Sequence, residues 1–368
     1  MKLRLELLAC MVLLLAPVAP ANAQDAMMDA FKASQAASEA NDLPEAERQA
    51  VLALEAAEGQ ASPKRGLLAV NLASVLYRAG KFAEAKAAAA QAQAAIAAGA
   101  EGEAWAARLI ELKARVKLEE PPAIRSLEQA LRESPPLSAG NARDIFDAAL
   151  VLGRGRLAKQ AWVEAARGYE LALQAAAPAF GLPYADRATA LIGLVAAEIR
   201  RKRLSVAEAY AEQAVAVTQP FAIESEGPVA SQAERIFARA LAWRSYLRTK
   251  SKPSKEFGGD SSTRPLLLGK APLCAMQAED QEAIRYPIAA EMKEREGVVV
   301  LRLSVDAEGR VTNAAVIAAV PVDFGFESAG LSAMRGARMV RWSGAKQEAC
   351  RMQTDSLLQI IRFHMLDW

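Results

Sequence analysis

From about residue 25 to residue 248, apolar and small side chains recur every third or fourth position, the period of helices with one buried face. The clearest unit runs from Leu68 to Ile96. Leu68, Leu72, Val75, Leu76 and Ala79 form one apolar face, Gly80-Lys81 turns the chain, and Phe82, Ala85, Ala89 and Ala92 form the face of a second helix. The same second helix recurs at Leu43, Ala46, Ala50, Ala53, at Ala123, Leu127, Ala130, at Trp162, Ala165, Tyr169, Ala172, and at Leu204, Ala207, Ala211, Ala214. A repeat of roughly 40 residues built from helical hairpins predicts a solenoid. The small residues are required where the two helices of a hairpin approach closely. A last helix near Gln232 to Leu247, with Phe237, Leu241, Trp243 and Leu247, is expected to cap the array.

The pattern then changes. Thr249 to Arg264, with Lys-Ser-Lys-Pro-Ser-Lys and Gly-Gly-Asp-Ser-Ser, reads as a linker that reaches roughly 50 Å when fully extended. Beyond it the period drops to two. Val298 to Val305 is β-branched and aliphatic, and its apolar-polar alternation from Leu301 onward predicts a half-buried strand. Asp306-Ala307-Glu308-Gly309 turns into a second strand, Arg310 to Ile317, which makes a β-hairpin. A short helix starts at Pro287 and runs through Ala290 and Met292 until Gly297 ends it. Phe326, Ala329, Leu331, Ala333 and Met334 lie at helical spacing, and a last strand runs from about Ser356 to Phe363. The order is helix, hairpin, helix, strand.

Tyr286-Pro287 with Ala289, the Gly297-Val-Val-Val strand, the Val305-Asp306-Ala-Glu-Gly309-Arg-Val311 hairpin and the Phe326-x-x-Ala-Gly-Leu-x-Ala333 helix together resemble the TonB C-terminal domain. The likeness spans roughly residues 270 to 368. One departure is that Trp342-Ser343-Gly344 stands where the family usually has an aromatic residue followed by proline. The Gly80-x-Phe82-x-x-Ala85 arrangement with Ala92 resembles a tetratricopeptide repeat (TPR). The array is TPR-like over about 220 residues, with Gln160 and Lys202 at positions where the second unit has Gly80. The expected fold is therefore multidomain: an all-α TPR-like solenoid followed by a small α+β TonB C-terminal-like domain. The division is 1–23 for a signal peptide, 24–248 for the repeats, 249–264 for the linker and 265–368 for the C-terminal domain.

The N-terminal segment matters for the setting. Lys2 and Arg4, an apolar run from Leu7 to Val18, and Ala21-Asn22-Ala23 before Gln24 have the pattern of a cleavable signal peptide, with export to the periplasm. An uncleaved anchor in the inner membrane is the alternative, although the run is shorter than the ~20 residues needed to cross a bilayer. Of three cysteines, Cys10 leaves with the signal. Cys274 and Cys350 flank the small domain and suggest a disulfide; two buried free thiols are the alternative.

With 45 Lys plus Arg against 43 Asp plus Glu, the net charge of +2 draws the chain to neither nucleic acid nor an anionic surface. A single histidine, His364, leaves no Ser-His-Asp, Cys-His or multi-histidine metal system. Gly258-Gly259 lies in the linker and Gly153-x-Gly155 follows no strand, so no phosphate loop is expected. Glu119-Glu120, Asp144 and Asp147 read as a solvated face. The expectation is a non-enzymatic protein with no cofactor and no small-molecule substrate.

Binding to other proteins is the reading that remains. Asn71, Ser74, Tyr77 and Arg78 are candidates for a solenoid groove, with packing as the alternative role of Tyr77. The last strand, Leu357, Leu358, Gln359, Ile360, Ile361, Arg362 and Phe363, is a candidate sheet edge for an incoming peptide strand. The TonB resemblance implies that this mode captures a short segment of an outer-membrane receptor, and it marks Tyr286 and Pro287 as partner contacts or as fixers of the helix start. A homodimer through this domain stays open. Two readings compete: a periplasmic interaction protein, and a membrane-anchored energy transducer for TonB-dependent receptors.

Overall fold

The computed structural model describes residues 21–59, 61–223, 230–251, 266–267, 273–274, 276–279, 284–341 and 350–363. Most of the expected signal segment, the expected linker from residue 252 onward, Trp342-Ser343-Gly344 and His364 lie outside the described residues. The chain forms two compact units, 1–136 and 137–368.

In the first unit, α1 (Ala21–Glu39), α2 (Leu43–Gly59), α3 (Arg65–Arg78), α4 (Phe82–Ala97), α5 (Ala104–Lys117) and α6 (Ala123–Arg132) pair as three antiparallel hairpins, and each hairpin packs on the next. The second unit continues the pattern with α7 (Ala142–Ala158), α8 (Trp162–Ala175), α9 (Tyr184–Arg200) and α10 (Leu204–Ile223), followed by α11 (Gln232–Ser251). The alanines that mark the period, Ala46, Ala85, Ala123, Ala165 and Ala207, are all buried where the paired helices meet.

All five hairpins turn in the same way. Asn41, Gly80, Glu119, Gln160 and Lys202 have φ of 59°, 78°, 57°, 59° and 59°, the left-handed conformation that ends a helix. In each, the next residue donates its N–H back to a carbonyl five residues earlier, as in Lys81 to Leu76 (3.0 Å) and Arg203 to Glu198 (2.9 Å). Gln160 and Lys202 therefore keep the backbone of the Gly80 turn although each carries a Cβ that disfavours it. Tyr169 fixes the helix spacing in the second unit: a Cβ at Gly153 would come within 3.0 Å of its ring, and one at Gly193 within 2.3 Å. Gly153 is thus a packing glycine.

The rest of the second unit comprises β1 (Leu266–Leu267), β2 (Met276–Glu279), α12 (Ile288–Glu291), β3 (Gly297–Val305), β4 (Val311–Val320), α13 (Phe326–Ala333), β5 (Arg338–Arg341) and β6 (Leu357–Phe363). The predicted helix, hairpin, helix and strand are all present. Gly309, at φ 83°, closes the hairpin turn. The main sheet is antiparallel in the order β1-β6-β3-β4, and β2 pairs with β5 in a second, two-stranded sheet. Sequence periodicity did not reveal β1, β2 or β5, which are short.

The sheet also corrects an expectation about β3. Its odd-numbered side chains, Val299, Leu301, Leu303 and Val305, pack with Phe326, Ala333, Ile361 and Phe363. Its even-numbered Val298 and Val300 pack, with Val320 and Leu358, against Phe237, Ala238, Leu241 and Ala242 of α11. The strand is buried on both faces, not half-buried, because α11 covers the side that the alternation assigned to solvent. Helix α11 extends to Ser251, into the stretch expected to be linker. It ends the helical array, and its outer face carries the C-terminal sheet.

Candidate partner-binding surfaces

The predicted groove residues are engaged in the packing of their own unit. Asn71 donates to Ser34 Oγ at 3.1 Å, and Arg78 donates to the Ser38 carbonyl at 2.8 Å, so both tie α3 to α1. The Tyr77 ring lies 5.4 Å from Phe82, and the ammonium of Lys113, itself buried, sits 4.9 Å over its face. Ser74 is half-buried on the same helix.

Around α12 the aromatic side chains form a cluster. Tyr286 meets Phe326 and Phe363 edge-on, each at 6.1 Å, and its hydroxyl donates to the Arg295 carbonyl at 2.6 Å. Burial and the nearby Glu296 and Glu291 push its phenol up to about 12. Gly297 must be glycine, since a Cβ there would lie 2.4 Å from the Phe326 ring. Pro287 packs beside Gly325, whose Cβ position would lie 3.3 Å from it. Tyr286 thus ties the entry to α12 to the chain that leaves it, and Pro287 packs that entry against Gly325.

Cys274 and Cys350 form a disulfide with their Cα atoms 5.0 Å apart. The Cys274 N–H also donates to the Arg351 carbonyl at 3.0 Å, so the bridge fastens the start of the domain to the segment before β6.

The strand order bears on the expected edge. Strand β6 lies between β3 and β1, and Leu357 and Leu358, named as edge residues, pair with Leu267 and Leu266. At these two positions the expectation is corrected: a short strand that periodicity could not detect covers them. Gln359 through Phe363 continue along β3. Among the described residues, the outermost strand on the other side is β4.

A buried ion pair joins the sheet to α11, and nothing in the sequence pattern announced it. Arg302 on β3 is 5% exposed and donates from Nε to Glu234 on α11 at 2.8 Å; it also donates to Ser356 Oγ. Burial pushes the Glu234 carboxyl above its ordinary range, and the Arg302 charge opposes that shift. A second link, Lys250 to Glu296 at 2.6 Å, joins the end of α11 to the chain entering β3. Arg302, Ser304, Asn313, Ala315, Val316 and Ile317 of the hairpin, with Ala230 and Arg235 at the start of α11, line a cavity of about 270 Å³. No group of three or more His, Cys, Asp or Glu side chains able to hold a metal ion occurs among the described residues. No helix among them is long and apolar enough to cross a membrane.

With this geometry in view, residues 282–354 match the family described as Gram-negative bacterial TonB protein C-terminal. The chain is an array of TPR-like helical hairpins followed by a small α+β domain in which the match to the TonB C-terminal family falls. Among solved structures, BtubC (BKLC) from P. vanneervenii is similar at 16% identity and a TM-score of 0.44, covering 57% of this chain and 94% of that one. The MamA protein is similar at 16% identity and a TM-score of 0.36, over 56% and 98% of the two chains. A tetratricopeptide repeat protein from Parabacteroides merdae ATCC 43184 is similar at 15% identity and a TM-score of 0.33, over 64% and 95%. No curated protein matches the chain.

Proposed function

We propose that the protein is a non-enzymatic periplasmic adaptor. Its helical repeats, residues 24–248, hold one protein partner, and its C-terminal domain, residues 265–368, takes an extended segment of another by strand addition. The observation that carries this reading is the seating of the sheet on α11, through Val298, Val300, Val320, Leu358 and the Arg302–Glu234 pair. A domain fixed to its neighbouring helix suits the presentation of two partners to each other. It suits less well a transducer whose C-terminal domain travels on a long tether to an outer-membrane receptor. The solenoid groove around Asn71, Ser74, Tyr77 and Arg78 and the contact role of Tyr286 and Pro287 belong to this proposal as second-rank sites, because each of these residues except Ser74 also has a packing partner.

Fractionation of the native envelope with N-terminal sequencing tests the proposal. A mature chain that starts at Gln24 in the soluble periplasmic fraction is the expected result. An intact Met1 chain in the inner membrane would instead favour the energy transducer.

A further inference from the structure

Strand addition needs an edge whose backbone is open and whose surroundings favour the guest, and the two sides of the main sheet differ in both respects. On one side, β1 already lies against β6 at Leu357 and Leu358. On the other, β4 is outermost among the described residues and ten residues long. Exposed edges of this length are ordinarily protected by lysine, proline or inward charges. From Val311 to Val320 the strand carries no charged residue and no proline, and Thr312, Asn313 and Ala315 are exposed. Among the described residues, only its first position is taken on that side, the Val311 N–H donating to the Ala337 carbonyl at 3.0 Å.

The surroundings of β4 are basic. Arg235 is exposed at the rim of the cavity beside Asn313, Ala315 and Ile317; its Nε donates to the Ala230 carbonyl at 3.1 Å, and it forms no ion pair among the described residues. Just before the strand begins, Arg310 and Arg338 face each other in an isolated antiparallel bridge, a like-charge juxtaposition that costs stability. Neither forms an ion pair among the described residues; Arg338 donates to the Glu308 carbonyl at 2.9 Å and has Glu279 as its cross-strand neighbour. The turn between β3 and β4 carries two acids, Asp306, which accepts from the Glu308 and Arg310 N–H groups, and Glu308.

We infer that β4, not β6, is the strand-addition edge, and that its occupant is an extended acidic segment of a partner protein. The inference rests on the strand-addition reading above. The guest pairs along Thr312 to Ala319, and its acidic side chains reach Arg235 beside Asn313 to Ile317 and Arg310 with Arg338 where the strand begins. A second copy of this chain is disfavoured as occupant because antiparallel pairing of β4 with itself about its middle would bring the two Arg235 side chains together.

The test uses the full mature chain and, as probe, a fluorescein-labelled peptide of about ten residues in which aspartate alternates with valine or threonine. Anisotropy reads binding, and amide hydrogen exchange reads where the probe lies. The expected result is new protection between Asn313 and Ile317, weaker binding by roughly fivefold in Arg235→Glu, and weaker binding of a probe with lysine in place of aspartate. Arg235→Gln, a neutral change at an exposed site, should lose affinity by a smaller factor without disturbing the fold. Protection at Gln359 to Phe363 instead would overturn the choice of edge and leave strand addition standing. Concentration-dependent protection of β4 without probe would make a second copy the occupant and overturn the acidic-partner assignment. No protection on any strand would overturn both the edge and the strand-addition reading.

Discussion

The helical hairpins and the C-terminal sheet are held together in different ways. In the hairpins, the decisive contacts are short in sequence and repeat: an alanine where two helices touch, a left-handed residue at the turn, and the same backbone bond across it. In the sheet domain, the decisive contacts are single and distant. Cys274 meets Cys350 across 76 residues, and Arg302 meets Glu234 across 68. A repeated local device tolerates loss of one copy, whereas a single distant contact does not. Damage to the sheet domain should therefore be concentrated in a few residues, and damage to the hairpins should be spread thinly.

The largest effect is expected from the disulfide. Replacing Cys274 and Cys350 together by alanine should destabilise the C-terminal domain by about 4 kcal/mol in the chain-entropy model, read as a lower urea midpoint. The hairpin signal in circular dichroism should move far less. Next is the ion pair: Glu234→Ala leaves the buried Arg302 charge uncompensated and should cost about 3 kcal/mol, whereas Glu234→Leu combined with Arg302→Met should be nearly neutral. Fluorescence of Trp243, which packs against the same cluster, reports on this contact.

Tyr286→Phe should cost about 1 kcal/mol through the lost bond to the Arg295 carbonyl. It also carries a pH signature. The folded phenol titrates at about 12, above the ordinary value near 10, so its contribution is complete below pH ~10 and is lost as pH rises toward the folded value. The Phe variant should show a flatter alkaline limb in thermal melts. The smallest effect has the opposite sign: Lys202→Gly relieves a left-handed φ of 59° and should stabilise by roughly 0.5 to 1 kcal/mol.

The same contrast explains how much could be read from the residues. Helix pairing was legible because Ala85 and its equivalents repeat at a fixed interval, and the hairpin, α12, α13 and β6 were legible from period, proline and glycine. Strand β1 was not, since two leucines carry no period. Neither was the burial of Arg302, because an arginine at an alternating position reads as solvent-facing until a helix more than 60 residues away is placed over it. The candidate edge was misplaced at Leu357 and Leu358 for the same reason: strand order is a long-range property. Gln160 and Lys202 appeared to depart from the Gly80 turn, yet the surrounding helix packing imposes its geometry on them.

The central claim is that the C-terminal sheet is fixed on α11 and does not swing from a linker. Pulsed electron-spin distance measurement between nitroxide labels at Lys159, at the end of α7, and Ala307, in the β3–β4 turn, tests it within one unit of the chain. A single narrow distance distribution, broadened by Glu234→Ala, is the predicted result. A broad distribution in the unmodified protein, unchanged by that substitution, would contradict the account.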